Sequence, residues 1–134
     1  MSFVHGKNTV IIINGTDISA FCNSTEDADT NDMHEVTTYG AARKAYASGL
    51  GDGVFTLGGF HDDTSSGPRK VLKALQRNGT LSTFVFRPSG TGVGKQQSSV
   101  SVFVKSYTDT APAGGMITWK STLQMSGALN EADQ

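Results

Sequence analysis

The chain has 134 residues, a formal net charge of −1 and a single cysteine, Cys22. That length suits one domain over residues 1–134 with one core. The charge excludes a global basic field for gripping nucleic acid, and one cysteine excludes an internal disulfide or a cysteine-built zinc site within the chain.

Hydrophobic residues make up 37% of the chain and charged residues only 17%, against about 25% in a typical domain. With 16 glycines and abundant Ser and Thr, this is the composition of strands and turns, or of a surface covered by neighbours. The N-terminal MSFVHGKNTV lacks the apolar core of a signal peptide. The strongest apolar run, residues 10–13, is too short to span a bilayer. A soluble protein without membrane insertion, made in a reducing cytoplasm, is expected.

Residues 9–13 are β-branched and apolar, and Asn14-Gly15-Thr16 supplies a turn, so a strand enters a hairpin. Residues 18–22 read as a second strand. Residues 23–32 are polar and acidic, and can be strand only if partner strands hold them or one face meets solvent. Residues 33–38 read as extended, with Val36 and the Thr pair favouring strand. Residues 39–53, rich in Ala and Gly, read as a long loop, and such loops in small domains carry function or are disordered.

Residues 54–60 are strand-like, with Gly58-Gly59 allowing a bulge or a close approach. A helix is predicted over about 67–78, opening at Pro68 with an apolar stripe of Val71, Leu72 and Leu75 and stopping at Asn78-Gly79. Three strands follow: 81–87, then 99–107 with Val100, Val102 and Val104 on one face, then a last strand placing Ile117, Trp119, Leu123 and Met125 on one face, broken by Ser121. A mobile polar tail is expected over 129–134. The fold class is mainly β: two packed antiparallel sheets, as a sandwich or an open barrel, with one flanking helix.

Motifs that carry chemistry fail one by one. Ser89 and Gln96 stand where a phosphate-binding loop needs Gly and Ser/Thr, and a strand follows where it needs a helix. Asp27, Asp29 and Asn31 match the first calcium-loop ligands, but Asp32 and Thr38 replace the required Gly and closing Glu. His61-Asp62-Asp63 reads as turn capping, Cys22 as packing, and no Gly-x-Ser-x-Gly elbow is present. The helix bears Arg69, Lys70, Lys73 and Arg77, a solvated face or a contact for a neighbouring subunit. A non-enzymatic protein without cofactor or metal is expected. Low charge, an acidic strand region and a long Gly/Ala loop suit a subunit that polymerises through loops and edges.

Three blocks resemble a known family. They are Gly51-Asp-Gly-Val-Phe-Thr-Leu-Gly-Gly-Phe-His-Asp, then Phe86-Arg-Pro-Ser-Gly-Thr-Gly-Val-Gly-Lys, then Leu123-Gln-Met-Ser-Gly-Ala-Leu. Over about residues 8–129 the chain is similar to the major tail tube proteins of siphophages, notably those of actinobacteriophages. The resemblance implies homo-hexameric rings stacked into a virion tail tube, four strands per subunit lining the lumen, and a long loop bridging to the next ring. It also implies a tape measure protein and transient double-stranded DNA inside, and tail terminator and distal tail proteins at the ends. Carried onto this sequence, the ring-stacking candidates are Tyr39, Arg43, Lys44, Tyr46 and Leu50. The lumen-facing candidates are Glu26, Asp27, Asp29 and Asp32, whose charge would keep DNA from sticking. Competing readings are a head-decoration protein, the inner tube of a contractile system, and a carbohydrate-binding β-sandwich.

Overall fold

The computed structural model describes residues 6–63 and 67–134. The strands are β1 (Val10–Ile13), β2 (Thr16–Asp17), β3 (Cys22–Glu35), β4 (Tyr46–Phe60), β5 (Ser82–Arg87), β6 (Gln96–Thr110) and β7 (Thr118–Asp133). One helix, α1 (Pro68–Asn78), lies between β4 and β5. All pairings are antiparallel, and the strands form a single seven-stranded sheet in the order β2-β1-β5-β6-β7-β4-β3.

That one sheet does the work of two. Strands β4 and β5 have β6 and β7 between them, so a flat sheet would hold them about 14 Å apart. Yet the rings of Phe55 on β4 and Phe84 on β5 lie 4.5 Å apart between centroids, and Phe55 to Phe86 is 5.9 Å. The sheet edges tell the same story. Edge strands β2 and β3 are joined only through residues 18–21, which reach about 18 Å at most, whereas a flat sheet would part its edges by about 29 Å. The sheet therefore curls, and its two halves face each other across the core. Of the two architectures left open by the sequence, the open barrel is the one adopted, and the two expected sheets are halves of one.

Alternation then sorts the side chains. Ile11, Ile13, Phe55, Leu57, Phe84, Val100, Val102, Val104, Trp119 and Leu123 point inward and are buried. Buried Ser121, which breaks the apolar face of β7, donates to the Ser106 carbonyl at 2.8 Å. Helix α1 adds Leu72 and Leu75 to this core and packs on β6; it ends at Gly79 in the left-handed conformation, as the Asn-Gly stop signal predicts. At Gly59 a Cβ would lie 1.8 Å from the Phe21 carbonyl oxygen, so the close approach expected there is real and admits no side chain.

The acidic segment 23–32, expected as strand only where a partner holds it, lies within the long strand β3, held on one side by β4. Two other expectations are corrected. Residues 46–53, expected as loop, belong to β4, so the connecting loop is only 36–45. The polar tail is not loose: β7 runs to Asp133, and Gln134 is tied into the 88–95 loop through Lys95, Gly94, Gly92 and Gly90. In each case backbone pairing, which leaves no hydrophobic alternation behind, decides the structure. Because Phe55 joins the two halves of the curl, Phe55→Ala is expected to cost about 3–5 kcal/mol, read as a lower midpoint in chemical denaturation of the dispersed subunit. A loss under about 1 kcal/mol would show that the halves do not depend on this contact.

Candidate assembly interface

Strand β7 pairs with β4 only from Val54 to Phe60. Beyond Val54 the β3–β4 hairpin leaves the barrel, and every residue from 29 to 52 is exposed. The fork has identifiable parts. The Gln124 amide donates to the Asp52 carboxylate at 2.7 Å and to the Gly53 carbonyl at 3.1 Å, and Asp52 also accepts from the Gly53 N–H at 2.8 Å. On β7, the register with β6 shifts between the Ser101–Ser126 and Ser99–Asn130 pairs, around Gly127 at φ +91. Past this bulge the pairing of β7 continues with β6, while its pairing with β4 has ended at Gln124.

The hairpin is thus an arm, and the ring-stacking candidates all lie on it. Tyr39, Arg43 and Lys44 sit in the tip loop 36–45; Tyr46 and Leu50 sit on β4. Exposed apolar surface concentrates here: Met33, Val36, Tyr39, Tyr46 and Leu50 are all well exposed, Leu50 at 81%. A two-stranded ribbon without a core is marginally stable alone in water, so such a surface is built to be covered.

The acidic candidates do not act as one face. Asp27 pairs across from Phe55 and Asp29 from Gly53, so both share the core-side face of the sheet at the base of the arm. Glu26 pairs across from Thr56 and faces the other way, while Asp32 lies in the register shift between Asn31 and Met33. Burial, then the neighbouring Glu131 and Asp29, raise the Asp27 carboxyl above its ordinary value. Glu131 in turn accepts from the Ser98 hydroxyl at 2.5 Å.

The outward face over β3, β4, β7 and β6 was not singled out by sequence motifs. The registers carry one row from Glu26 through Thr56 and Thr122 to Ser106, another from Gly58 through Lys120 to Thr108, and a third from Phe60 through Thr118 to Thr110. It is a hydroxyl-rich wall with few charges. The signal lay in Ser106, Thr108 and Thr110 alternating with Tyr107 and Asp109 on β6, and Thr118 and Thr122 alternating with Trp119 and Leu123 on β7. Among the described residues, two strand edges have no strand partner: the outer edge of β3, and β6 beyond Val102 on the side where β5 has ended.

Elsewhere, burial and the nearby Asp17 push the Cys22 thiol up to about 12, so it is not an activated nucleophile. Among the described residues no group of three His, Cys, Asp or Glu is arranged to hold a metal, and no helix is long and apolar enough to cross a membrane.

No protein-family model matches the chain, and no curated protein matches it in sequence. Its fold, however, matches solved structures along nearly its whole length. A chain from the tail of an empty gene transfer agent particle, with C6 symmetry, aligns at 12% identity and a TM-score of 0.80, covering 97% of this chain and 99% of that one. A chain from the sheath-tube complex of an extracellular contractile injection system in the extended state aligns at 15% identity and 0.72, covering 98% and 93%. The SPP1 tail tube aligns at 11% identity and 0.70, covering 98% and 80%. The chain has the fold found in these tail and tube assemblies.

The Asp27 environment carries a pH dependence with a definite sign. A carboxyl raised above its unfolded value of about 3.9 costs stability when ionised; the cost is complete above the folded value and vanishes below the unfolded one. Asp27→Asn is therefore expected to raise the melting temperature of the subunit at neutral pH, with the gain fading below about pH 4. An unchanged or lower melting temperature at neutral pH would contradict this.

Proposed function

We propose that this protein is the subunit of a siphophage-type tail tube, assembling as hexameric rings that stack around a lumen through which double-stranded DNA passes at ejection. One observation carries the reading: a chain with the fold of tail and tube structures projects an arm, residues 29–52, that is exposed throughout and apolar at several positions. Such an arm is stabilised only by a partner.

In this reading the hydroxyl-rich face of β3, β4, β7 and β6 is the lumen wall. Weak, short hydrogen-bonding side chains and few fixed cations give DNA little to hold, and Glu26 contributes like charge. Lys120 on the same face offsets part of that charge, so the wall acts by near-neutrality more than by repulsion. Asp27 and Asp29 belong to the base of the arm rather than to the wall. The open edge of β3 on one subunit and the open lower edge of β6 on the next offer strand-to-strand closure of the ring, which would also remove an otherwise aggregation-prone 14-residue edge. The tape measure protein would occupy the lumen before ejection, and tail terminator and distal tail proteins would close the ends of the tube. The finished protein would reside in the virion after synthesis in the host cytoplasm, and it would carry out no chemistry of its own.

The likeness to a sheath-tube complex favours a second reading, the inner tube of a contractile system. Recovery of a sheath around tubes purified from lysates separates the two.

Negative-stain microscopy of concentrated purified protein is expected to show six-fold rings or tubes roughly 100 Å wide, the width of domains about 25–30 Å across around a lumen. Only monomers or trimers across all concentrations would remove the assignment. Tyr46→Asp, placing a charge on the apolar arm, is expected to abolish stacking while the circular dichroism of the subunit is retained. Tubes of normal length from this variant would take the arm out of the interface.

A further inference from the structure

Strand β4 runs from the arm to the far end of the barrel. Tyr46 and Phe60, its two ends, are about 46 Å apart at about 3.3 Å per residue. Around Phe60 the far end carries a second exposed apolar cluster. Phe60 is 49% exposed, Met116 70% and Ile117 41%. They are held together because Phe60 pairs with Thr118 and the His61 N–H donates to the Ile117 carbonyl at 3.0 Å. The arm and this cluster cannot meet within one molecule, since a continuous strand holds them apart.

Their charges are complementary. The tip loop 36–45 carries Arg43 and Lys44 and no acidic residue; the carboxylates of the arm, Asp29, Asp32, Glu35 and Asp52, lie below it. At the far end, residues 61–63 and 109–117 carry Asp62, Asp63 and Asp109 and no lysine or arginine. Arg69 of α1 approaches Asp109 at 3.7 Å, and Asp63, which bonds the His61 ring at 2.7 Å, keeps a side chain 97% exposed.

We infer that the arm of one copy docks on the far end of a second copy, its apolar residues Tyr46 and Leu50 against Phe60, Met116 and Ile117, and its Arg43 and Lys44 against Asp62 and Asp63. The occupant is another copy of this chain. The contact is heterologous, using different surfaces on the two partners, so it repeats along one direction without closing. That property produces a filament of stacked rings and not a trimer on a shell. The inference rests on the tube-subunit reading and adds to it the surface that receives the arm.

A reciprocal charge swap on the full chain tests it, with tube length by electron microscopy and sedimentation as readouts. R43E/K44E and Asp63→Lys are each expected to shorten tubes or leave single rings, more so at low salt, and the two together to restore them. Met116→Asp is expected to block stacking without changing the melting temperature of the subunit. Wild-type tubes accompanied by normal tubes from Asp63→Lys and Met116→Asp overturn this docking and leave the tube-subunit reading intact. Failure of the charge swap to restore tubes, with both variant subunits folded, also overturns it. Absence of rings and tubes from the wild type overturns both.

Discussion

The contact between Phe55 and Phe84 is the one on which the rest of the molecule depends, because it exists only if the sheet curls. Curling creates an inside, which the valines of β6, the isoleucines of β1, Trp119 and Leu123 fill, and an outside, which is left polar. The short link at residues 18–21 imposes the same curvature from the chain, holding the two sheet edges close. Helix α1 packs on β6 and adds Leu72 and Leu75 to the core. Secondary aromatic contacts serve the same end: Trp119 donates to the Phe60 carbonyl at 3.1 Å and stacks on Tyr107 at 6.0 Å between centroids.

A curl of this kind has limited length. Where Gly53 and Asp52 meet Gln124, the inward positions of β3 and β4 cease to have anything to cover. Past that point both faces of the hairpin see solvent, and continued pairing to β7 would only extend a flat, unsupported sheet. The bulge at Gly127 releases β7 to finish its own hairpin with β6, and the arm continues alone. Strand β4 is thereby divided: residues 53–60 pack with the barrel, and residues 46–52 have no core to cover.

This division explains what was legible in the sequence. Val100, Val102 and Val104 alternate because one face of β6 is buried, and the Pro68 start and Asn78-Gly79 stop of α1 are local chemistry, so both were readable directly. Residues 29–32 and 46–52 show no alternation because neither face of the arm has a core to contact, and glycines such as Gly49 and Gly51 imitate a loop. The Ala and Gly content of residues 39–53 was readable as a long functional loop, whereas the ribbon form of residues 46–53 depends on backbone pairing between β3 and β4. The acidic candidates were read as one surface because sequence proximity says nothing about face. Strand alternation puts Asp27 and Glu26 on opposite sides, and only the register with Phe55 and Thr56 tells which side is which. The hydroxyl wall was hidden for the opposite reason, since it is spread over four strands distant in sequence.

A subunit whose exposed parts are an unpaired strand edge, an apolar arm and a neutral hydroxyl wall has distinct physical demands on each. The edge is directional and needs backbone hydrogen bonds, so in the proposed tube it would take a neighbour at the same height. The arm is apolar at several positions with a basic tip, so there it would gain most from burial against a partner at a different height. The wall gains little from any partner, because Ser and Thr hydroxyls are already satisfied by water and few of its side chains are charged. In the proposed tube, lateral closure and axial stacking would thus draw on different interactions, hydrogen bonding for one and apolar burial with charge for the other. The surface left over would be the hydroxyl wall, the one least able to bind what passes along it.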